Sequence, residues 1–590
     1  SGVADEDALT HLHGLVRREM LTVEANPRSP ERGQYGFVQA LVREVAYGTL
    51  AKRDRRRLHL AAARYFETLD DEGIAGALAE HYVAAYKAQP DGPEGEAVAA
   101  QARVALRGAA ERARSLGSFT QALRFLERAL EVTTDPAEEY ALQAAAGDAG
   151  LYAGLSDEPI AHTTRALELA RRFGDRERIM LATVSHALAI STTGQIADNA
   201  ALLEPARIEF RDLEATLGYV RLCAELARSY LLLSRGADAI RVVDETLPVA
   251  ERLELTREII ELVVTRGAAL AGLGRPSEGT IILRGAVSAA SAAGLPDVEL
   301  RGRVNLSYAA AADDPELAYR VAREGLVLAD RLGMRGYAYY LIGNAVELAI
   351  RMGDWDWAVA AAEGAAGASG LDLAARLRRA EFQGLRGHDV STELQALTDE
   401  LADVTEVQAQ SITAETWAMV KLAQGDHRAA LDLAQGVYRV NLAPDGTSPW
   451  TAIRAAAALG DPDAVTDALR AIEEIPGRVL SAVRREGEAT LAGLAGRRQE
   501  ALHGFLDAVR RWQELGLAVE AAFAQLNLVT VLGASDPEAA AAGEAARALF
   551  QRLDAQPLLD RLAEAQAAGG VGGAASGGGS PLVAVPSENP

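Results

Sequence analysis

Small and apolar positions recur along this chain at fixed intervals. A small residue or turn former stands at Gly117, Gly154, Gly194, Ser234, Gly274, Asp313, Gly353, Gly387, Gly425, Gly460, Gly496 and Ala534. Five residues after each comes a second, usually small position: Ala122, Pro159, Asn199, Ala239, Gly279, Ala318, Ala358, Thr392, Ala430, Val465, Ala501 and Ala539. Twelve after each anchor lies a third: Ala129, Ala166, Ala206, Thr246, Ala286, Gly325, Ala365, Asp399, Val437, Ile472, Ala508 and Ala546. The spacing predicts antiparallel helix pairs. The anchor ends the first helix, where glycine accepts a positive φ without Cβ strain, and the two later positions let the second helix lie close to its neighbours. Seven residues before the anchor the first helix is also often small, at Ala110, Gly147, Ala187, Ala227, Gly267, Ala380, Ala418 and Ala489, whereas Leu306, Val346, Ile453 and Asn527 break that rule. Second helices close with a recurring phrase, Ala170 to Asp175, Ala329 to Met334 and Trp512 to Leu517, whose glycine suits a C-terminal cap.

A period of about 34 to 40 residues without an internal strand signal is that of helix-turn-helix repeats, and the array resembles the tetratricopeptide (TPR) type. The expected fold is all-α: a TPR-like right-handed α-solenoid of about twelve helix pairs, behind a small N-terminal winged-helix remnant. Such a chain is mostly binding surface rather than catalyst. The repeat phrasing also resembles the TPR arrays fused to bacterial signalling ATPases of the STAND class.

Composition agrees with a solenoid. Apolar residues make up 49% of the 590 positions but aromatics only 5%, so the core is mostly Ala, Leu and Val. Each pair then buries its face only against the next. Lys and Arg total 60 against 83 Asp and Glu, a formal charge of -23. That field repels phosphate backbones, so no nucleic-acid partner is expected. The single cysteine, Cys223, excludes an internal disulfide and suits a reducing, cytoplasmic setting. No apolar run approaches the roughly 20 residues of a membrane helix, and no membrane partner is expected. The chain opens at Ser1 on a helical pattern, which reads as a fragment with further domains upstream.

The opening segment suggests what those domains are. Leu9, Leu12, Leu15 and Val16 share a helical face, Leu21 to Glu24 look extended, Asn26 to Gly33 form a Pro, Arg and Gly-rich loop, and Tyr35 to Val38 return as a second short strand. Helix, strand, wing and strand form the closing half of a winged helix. Phe37 to Tyr47, then Thr49-Leu50, Arg55 to Leu58 and His59, resemble the F-x-H-x-L-V-R-E-V-A-Y-x-x-L and R-x-x-L-H-x-x-x-A pattern that follows the ATPase module of large bacterial STAND proteins. These include class III adenylate/guanylate cyclases with fused ATPase and TPR regions, and LuxR-type regulators. The match covers Phe37 to Ala62, with Gln39 in place of the family histidine, and Ala79-Glu80-His81-Tyr82 continues it. The resemblance implies a winged helix that packs on an upstream ATPase module in cis. The Arg53 to Arg57 cluster is the one candidate for DNA contact, and its acidic surroundings favour a solvated turn.

Catalytic motifs are missing from the sequence. None of Lys52, Lys87 and Lys421 follows a glycine, so there is no P-loop, and no H-E-x-x-H or paired C-x-x-C occurs. No cofactor is expected, and the chain reads as non-catalytic. His11 and His13 lack nearby ligand partners, Cys223 fits a small buried thiol, and Asp354 and Asp356 beside Trp355 and Trp357 fit a helix cap at an interhelix turn. Ordinary repeat geometry points Arg228, Arg303, Ser307, Glu347 and Arg351 into the groove lined by first helices. Arg303 and Arg351, if they face each other, suit an acidic peptide or a carboxylate terminus.

The organisation expected is a winged-helix remnant and following helix over 1–70, a helical linker over 71–100, the solenoid over 101–568 and a disordered tail over 569–590, where Gly, Ala, Ser and Pro dominate. A LuxR-type regulator would close with a basic helix-turn-helix, which is not found after the last repeat, so the cyclase-ATPase-TPR architecture fits better. The function expected is a protein-interaction and regulatory arm of a larger ATPase that takes a protein or peptide in its groove. Nucleotide cyclase activity of the parent and a LuxR-type transcriptional regulator are the alternatives.

Overall fold

The computed structural model of the chain describes residues 5–23, 35–69, 74–365, 373–401, 407–440 and 447–571. They fall into two compact units, Ser1–Ala149 and Gly150–Pro590.

The first unit opens with α1 (Asp5–Arg17), β1 (Leu21–Val23) and β2 (Tyr35–Phe37). The strands pair antiparallel, Leu21 opposite Phe37 and Val23 opposite Tyr35. The expected loop Asn26 to Gly33 lies outside the described residues. There follow α2 (Ala40–Gly48), α3 (Lys52–Glu67), α4 (Ala75–Ala88), α5 (Gly92–Ser115), α6 (Phe119–Leu130) and α7 (Pro136–Ala153), in whose last turn the second unit begins. From α3 to α6 each helix packs on the next. By contrast α2 buries none of its residues, although Leu41 and Val45 form an apolar stripe.

The second unit continues with α8 (Asp157–Phe173), α9 (Arg176–Ser191), α10 (Ile196–Glu209), α11 (Leu217–Leu232), α12 (Gly236–Arg252), α13 (Thr256–Gly272), α14 (Pro276–Ala292), α15 (Pro296–Ala310), α16 (Pro315–Leu332), α17 (Arg335–Met352) and α18 (Trp355–Ala365). It closes with α19 (Leu373–Leu385), α20 (Ser391–Glu400), α21 (Val407–Ala423), α22 (His427–Tyr438), α23 (Thr447–Leu459), α24 (Pro462–Ile472), α25 (Arg478–Leu494), α26 (Arg498–Glu514), α27 (Ala518–Leu532), α28 (Pro537–Arg552) and α29 (Gln556–Ala567). This is an all-α solenoid of helix pairs. Gly569 to Val571, the described start of the expected tail, follow α29, and Gly570 lies against the backbone at Leu532 and Gly533. Residues 572–590 lie outside the described residues.

The turn chemistry is the one the spacing implies. Ten of the twelve anchors, all but Asp313 and Ala534, take positive φ, and beside Ala534 it is Gly533 that does so. In the turn after α11, the Arg235 amide donates to the Tyr230 carbonyl at 2.8 Å, the six-to-one closure of a left-handed cap. Second helices start under side-chain caps where an aspartate is available: Asp314, Asp426, Asp461 and Asp536 accept from amides of the first turn. The positions five after the anchor are buried at Ala122, Asn199, Ala239, Ala318, Ala358, Ala430, Val465, Ala501 and Ala539. The pair α19–α20 departs from the pattern. Thr392 and Asp399 are exposed, and Leu394 and Leu397, which lie between them, are buried instead, so the ten-residue α20 packs through positions other than the two the spacing marks.

The odd-numbered helices from α9 to α29 pack on one another in succession and form an inner layer. Their winding brings successive coils of the second unit into contact. Pairs four and five repeats apart touch: the Val479 amide donates to the Ala312 carbonyl at 3.0 Å, the Arg478 amide to Asp313 Oδ1 at 2.9 Å, and Arg386 Nε to the Leu553 carbonyl at 3.3 Å. Beyond α17 the inner helices also meet across the axis, α17 with α27 and α19 and α21 with α29. One core there runs from Val346 to Leu562. Alanines at 349, 452, 521 and 524 make that approach possible, since each removes the bulk that would hold two inner helices apart.

Candidate partner-binding groove

The inner helices carry an unusual set of buried charges. Glu225, Glu258, Asp297, Glu299, Arg351, Arg378, Glu381, Glu415, Arg454, Glu486 and Glu520 are all less than a tenth exposed. A buried charge is tolerated only when paired, and the pairing divides the groove into two regions.

In the later region, α17 to α29, partners are found across the axis. Arg454 holds Glu486 through Nε and Nη2 at 2.7 and 2.8 Å, donates to the Glu520 carbonyl at 3.0 Å and stacks 3.5 Å above the centroid of Trp450. Arg351 pairs with Glu520 of α27, 169 residues away. Arg378 bridges Glu381 at 2.6 Å and Glu347 at 2.8 Å. Burial raises the Glu520 carboxyl above its ordinary value, against the pull of Arg351. These groups hold the inner helices to one another, α17 to α27 among them.

In the earlier region, α9 to α17, the charges are crowded: Glu225, Glu258, Asp297 and Glu299 are buried, while several of their partners keep part of their surface in solvent. Arg257 makes a two-pronged contact with Asp297, 2.7 Å on each arm, and reaches Glu261 at 2.9 Å, while the Tyr152 hydroxyl donates to Asp297 at 3.3 Å. Arg228 donates to Glu225 at 2.9 Å and to the Ser191 hydroxyl at 2.7 Å, and Asn199 holds the other oxygen of Glu225 at 3.1 Å. Arg301 donates to the Glu261 carbonyl at 2.9 Å and to the Thr265 hydroxyl. The side chains of Arg228, Arg257 and Glu261 keep 22, 32 and 21% of their surface exposed. Burial raises the Glu261 carboxyl although Arg301 and Arg257 oppose it. Burial likewise raises the Tyr337 hydroxyl, helped by Asp297, and lowers the Arg301 guanidinium, where Glu261 opposes the shift and Arg228 reinforces it.

The five residues projected from the sequence fall in different places. Arg228 lies in this crowded, wet region. Arg303 turns towards its own second helix, pairing with Glu299 at 2.9 Å and with Glu324 of α16 at 3.0 Å. Ser307 is buried between α15 and α17, donating to the Val304 carbonyl and accepting from Asn344 at 2.8 Å. Glu347 receives Arg378, and Arg351 is held by Glu520. Sequence reasoning missed Arg257, Glu261, Asp297, Arg301 and Tyr337. The i,i+4 pair Arg257 and Glu261 on a first helix was the available signal.

Other side chains singled out in the sequence are occupied structurally. His11 donates to the Asp7 carbonyl at 2.6 Å, His13 lies beside Tyr35 with ring centroids 6.4 Å apart, and no group of three metal-ligating side chains occurs among the described residues. Cys223 is buried, and burial pushes its thiol up. Trp355 is 2% exposed and donates to the Ile350 carbonyl at 2.8 Å; Asp354 accepts from Tyr319 at 3.0 Å, and Trp357 packs edge-on to the Tyr319 ring. Within Arg53 to Arg57, Arg55 ties down the carbonyls of Leu50 and Gly48, Arg56 pairs with Glu94 at 2.6 Å and Arg57 lies 3.6 Å from Asp54. No helix among the described residues is long and apolar enough to cross a membrane.

The fold and the inner surface together define a TPR-like helical-repeat protein. No family model and no curated protein matches the chain. Among solved structures it is similar to a Rap protein complexed with competence and sporulation factor, at 13% identity and a TM-score of 0.39, over 66% of this chain and 99% of that one. It is also similar to a signal transduction ATPase with numerous domains carrying a tetratricopeptide repeat sensor, from Pyrococcus horikoshii, at 14% identity and a TM-score of 0.33. That likeness covers 69% of this chain and 60% of the archaeal one.

Proposed function

We propose that this chain is the non-catalytic, regulatory arm of a cytoplasmic signalling ATPase and that it takes a protein or peptide partner in the groove between α9 and α17. The observation that carries this reading is the contrast between the two regions of the inner layer. Beyond α17 charged groups are spent on holding helices together, whereas before it Arg228, Arg257 and Glu261 on α11 and α13 keep between a fifth and a third of their side-chain surface exposed. Of the residues projected from the sequence, Arg228 contacts the partner, and Arg303, Ser307, Glu347 and Arg351 shape the wall. The uncovered stripe of Phe37, Leu41 and Val45, 44, 68 and 61% exposed, supports docking of an ATPase module in cis on a winged-helix remnant. Partner binding then shifts the population of active ATPase.

The test is amide hydrogen exchange on the full chain with and without a candidate protein partner. Added protection is expected on α11, α13, α15 and α17. Protection confined to the second helices α12, α14 and α16, or to α25–α29, overturns the reading.

A further inference from the structure

A relay of hydrogen bonds in the first unit joins three helices. His59 on α3 and His81 on α4 face each other through their Nδ1 atoms at 2.9 Å, with ring centroids 5.2 Å apart. On the other side of the first ring, His59 Nε2 lies 2.9 Å from the Tyr47 hydroxyl of α2, and the His81 ring stacks on Phe66 with centroids 5.3 Å apart. Both imidazoles are half-buried. Helix α2 itself buries none of its residues, and among the described residues Tyr47 is the only α2 side chain hydrogen-bonded to another helix. Arg55 of α3 backs this contact: it lies 4.7 Å over the Tyr47 ring and donates to the Leu50 and Gly48 carbonyls, each at 2.9 Å.

Two ring nitrogens at that distance share one proton and no more. Neutral imidazoles satisfy the contact, one Nδ1 donating and the other accepting. One added proton is still accommodated on an Nε2, because the Tyr47 hydroxyl can accept as well as donate. A second added proton sets N–H against N–H and brings two positive charges into contact in a half-buried place, where water screens them poorly. Burial lowers both rings below the ordinary histidine value, and the charge of His81 lowers His59 further. Neither ring has an ion-pair partner among the described residues. The charged groups on the surrounding helices are exposed or engaged elsewhere. On α2, Arg43 and Glu44 are exposed. On α3, Arg56 pairs with Glu94 of α5 at 2.6 Å and Glu67 accepts from Tyr82 of α4 at 2.5 Å. On α4, Glu80 pairs with Arg128 of α6.

We infer that the His59–His81 pair is an acid-sensitive joint: double protonation forces the rings apart, breaks the tie between α3 and α4 and takes His59 away from Tyr47, so that α2, with its uncovered stripe of Leu41 and Val45, is released from the helical stack. The response has one direction. Because the fold favours the neutral rings, the tie is complete above the ordinary histidine pKa of about 6.5 and is lost as the pH falls below it. The joint lies wholly within the first unit and does not depend on the partner groove of the second.

The experiment is amide hydrogen exchange by mass spectrometry on the full chain at about pH 7.5 and about pH 5, either side of the histidine range, with labelling times scaled to equal intrinsic exchange. Peptides from α2, α3 and α4 should lose about tenfold in protection at the lower pH, the equivalent of one pKa unit, while those from α26 and α28 keep theirs. His81→Asn puts an uncharged acceptor where Nδ1 stood, so it should keep the protection at neutral pH and lose the response to acid. Equal protection of α2–α4 in the parent at both pH values, or a variant that loosens in acid as much as the parent, overturns the inference. Should the variant fail to fold, histidine C2-hydrogen exchange in the parent decides: one of the two rings titrating well below about 6.5 supports the joint, and both titrating at or above it overturns it.

Discussion

Two glycines in one helix should respond to the same substitution with opposite signs. Gly279 and Gly285 both lie within α14, neither with positive φ. A Cβ built on Gly279 would stand 2.5 Å from the Gly267 carbonyl oxygen and 3.0 Å from the backbone nitrogen and Cβ of Ala271, all on α13. Nothing lies within 4 Å of a Cβ on Gly285. The obstacle at Gly279 is mainly backbone, so the helices must part for a methyl group to enter. Overpacking of that kind costs about 1 to 3 kcal/mol, which outweighs the gain in helix propensity of about 1 kcal/mol. At Gly285 only the propensity gain remains. Gly279→Ala should therefore lower the unfolding free energy by up to about 2 kcal/mol, and Gly285→Ala should raise it by about 0.5 to 1 kcal/mol. Urea titrations followed by circular dichroism measure both, with the m-value as a check on cooperativity. Two changes of the same sign would refute the claim that small residues at fixed spacing set the approach of the helices.

Removing Arg351 leaves the buried Glu520 carboxylate without its closest cation, so Arg351→Met should cost about 3 kcal/mol at neutral pH. Burial already raises Glu520, so it protonates as pH falls, and the deficit of the variant against the parent should shrink in acid. A deficit below about 0.5 kcal/mol at neutral pH would show the pair to be dispensable. His427 is lowered from 6.5 to about 4 by burial and by Arg561. Its neutral form is favoured in the fold, so its contribution is present above its ordinary pKa and lost as pH falls towards about 4. That amounts to up to about 2 kcal/mol between pH 7 and pH 5. His427→Gln should flatten this part of the stability profile, and an unchanged slope would contradict the assignment.

What the sequence made legible was local. A left-handed turn and a small residue five positions later are properties of a few neighbouring residues, which is why the anchors landed on the turns even where Ser234 replaces glycine. The exceptions have local causes too. Asp313 makes its turn without positive φ and spends its carboxylate on Ser277 at 2.6 Å and the Arg478 amide, while α20 is too short to keep the register. The winding was not legible, because contact between Ala312 and Val479 leaves no periodic trace in a chain. The directions of the side chains on the inner helices were not legible for a related reason. An ideal projection of α15 selects Arg303, but the side chain leans to Glu324 on its own second helix, and Arg301, two residues earlier, reaches the inner surface by way of Thr265.

The central claim is that successive coils of the second unit touch, and a single amide reports on it. Val479 sits in the first turn of α25, where amides have no intrahelical acceptor, yet its N–H is bonded to the Ala312 carbonyl. Residue-resolved hydrogen exchange should find Val479 protected to the level of the interior of α25. Exchange at the rate of an open helix end would mean that the coils stand apart and that the closed inner layer described here does not exist.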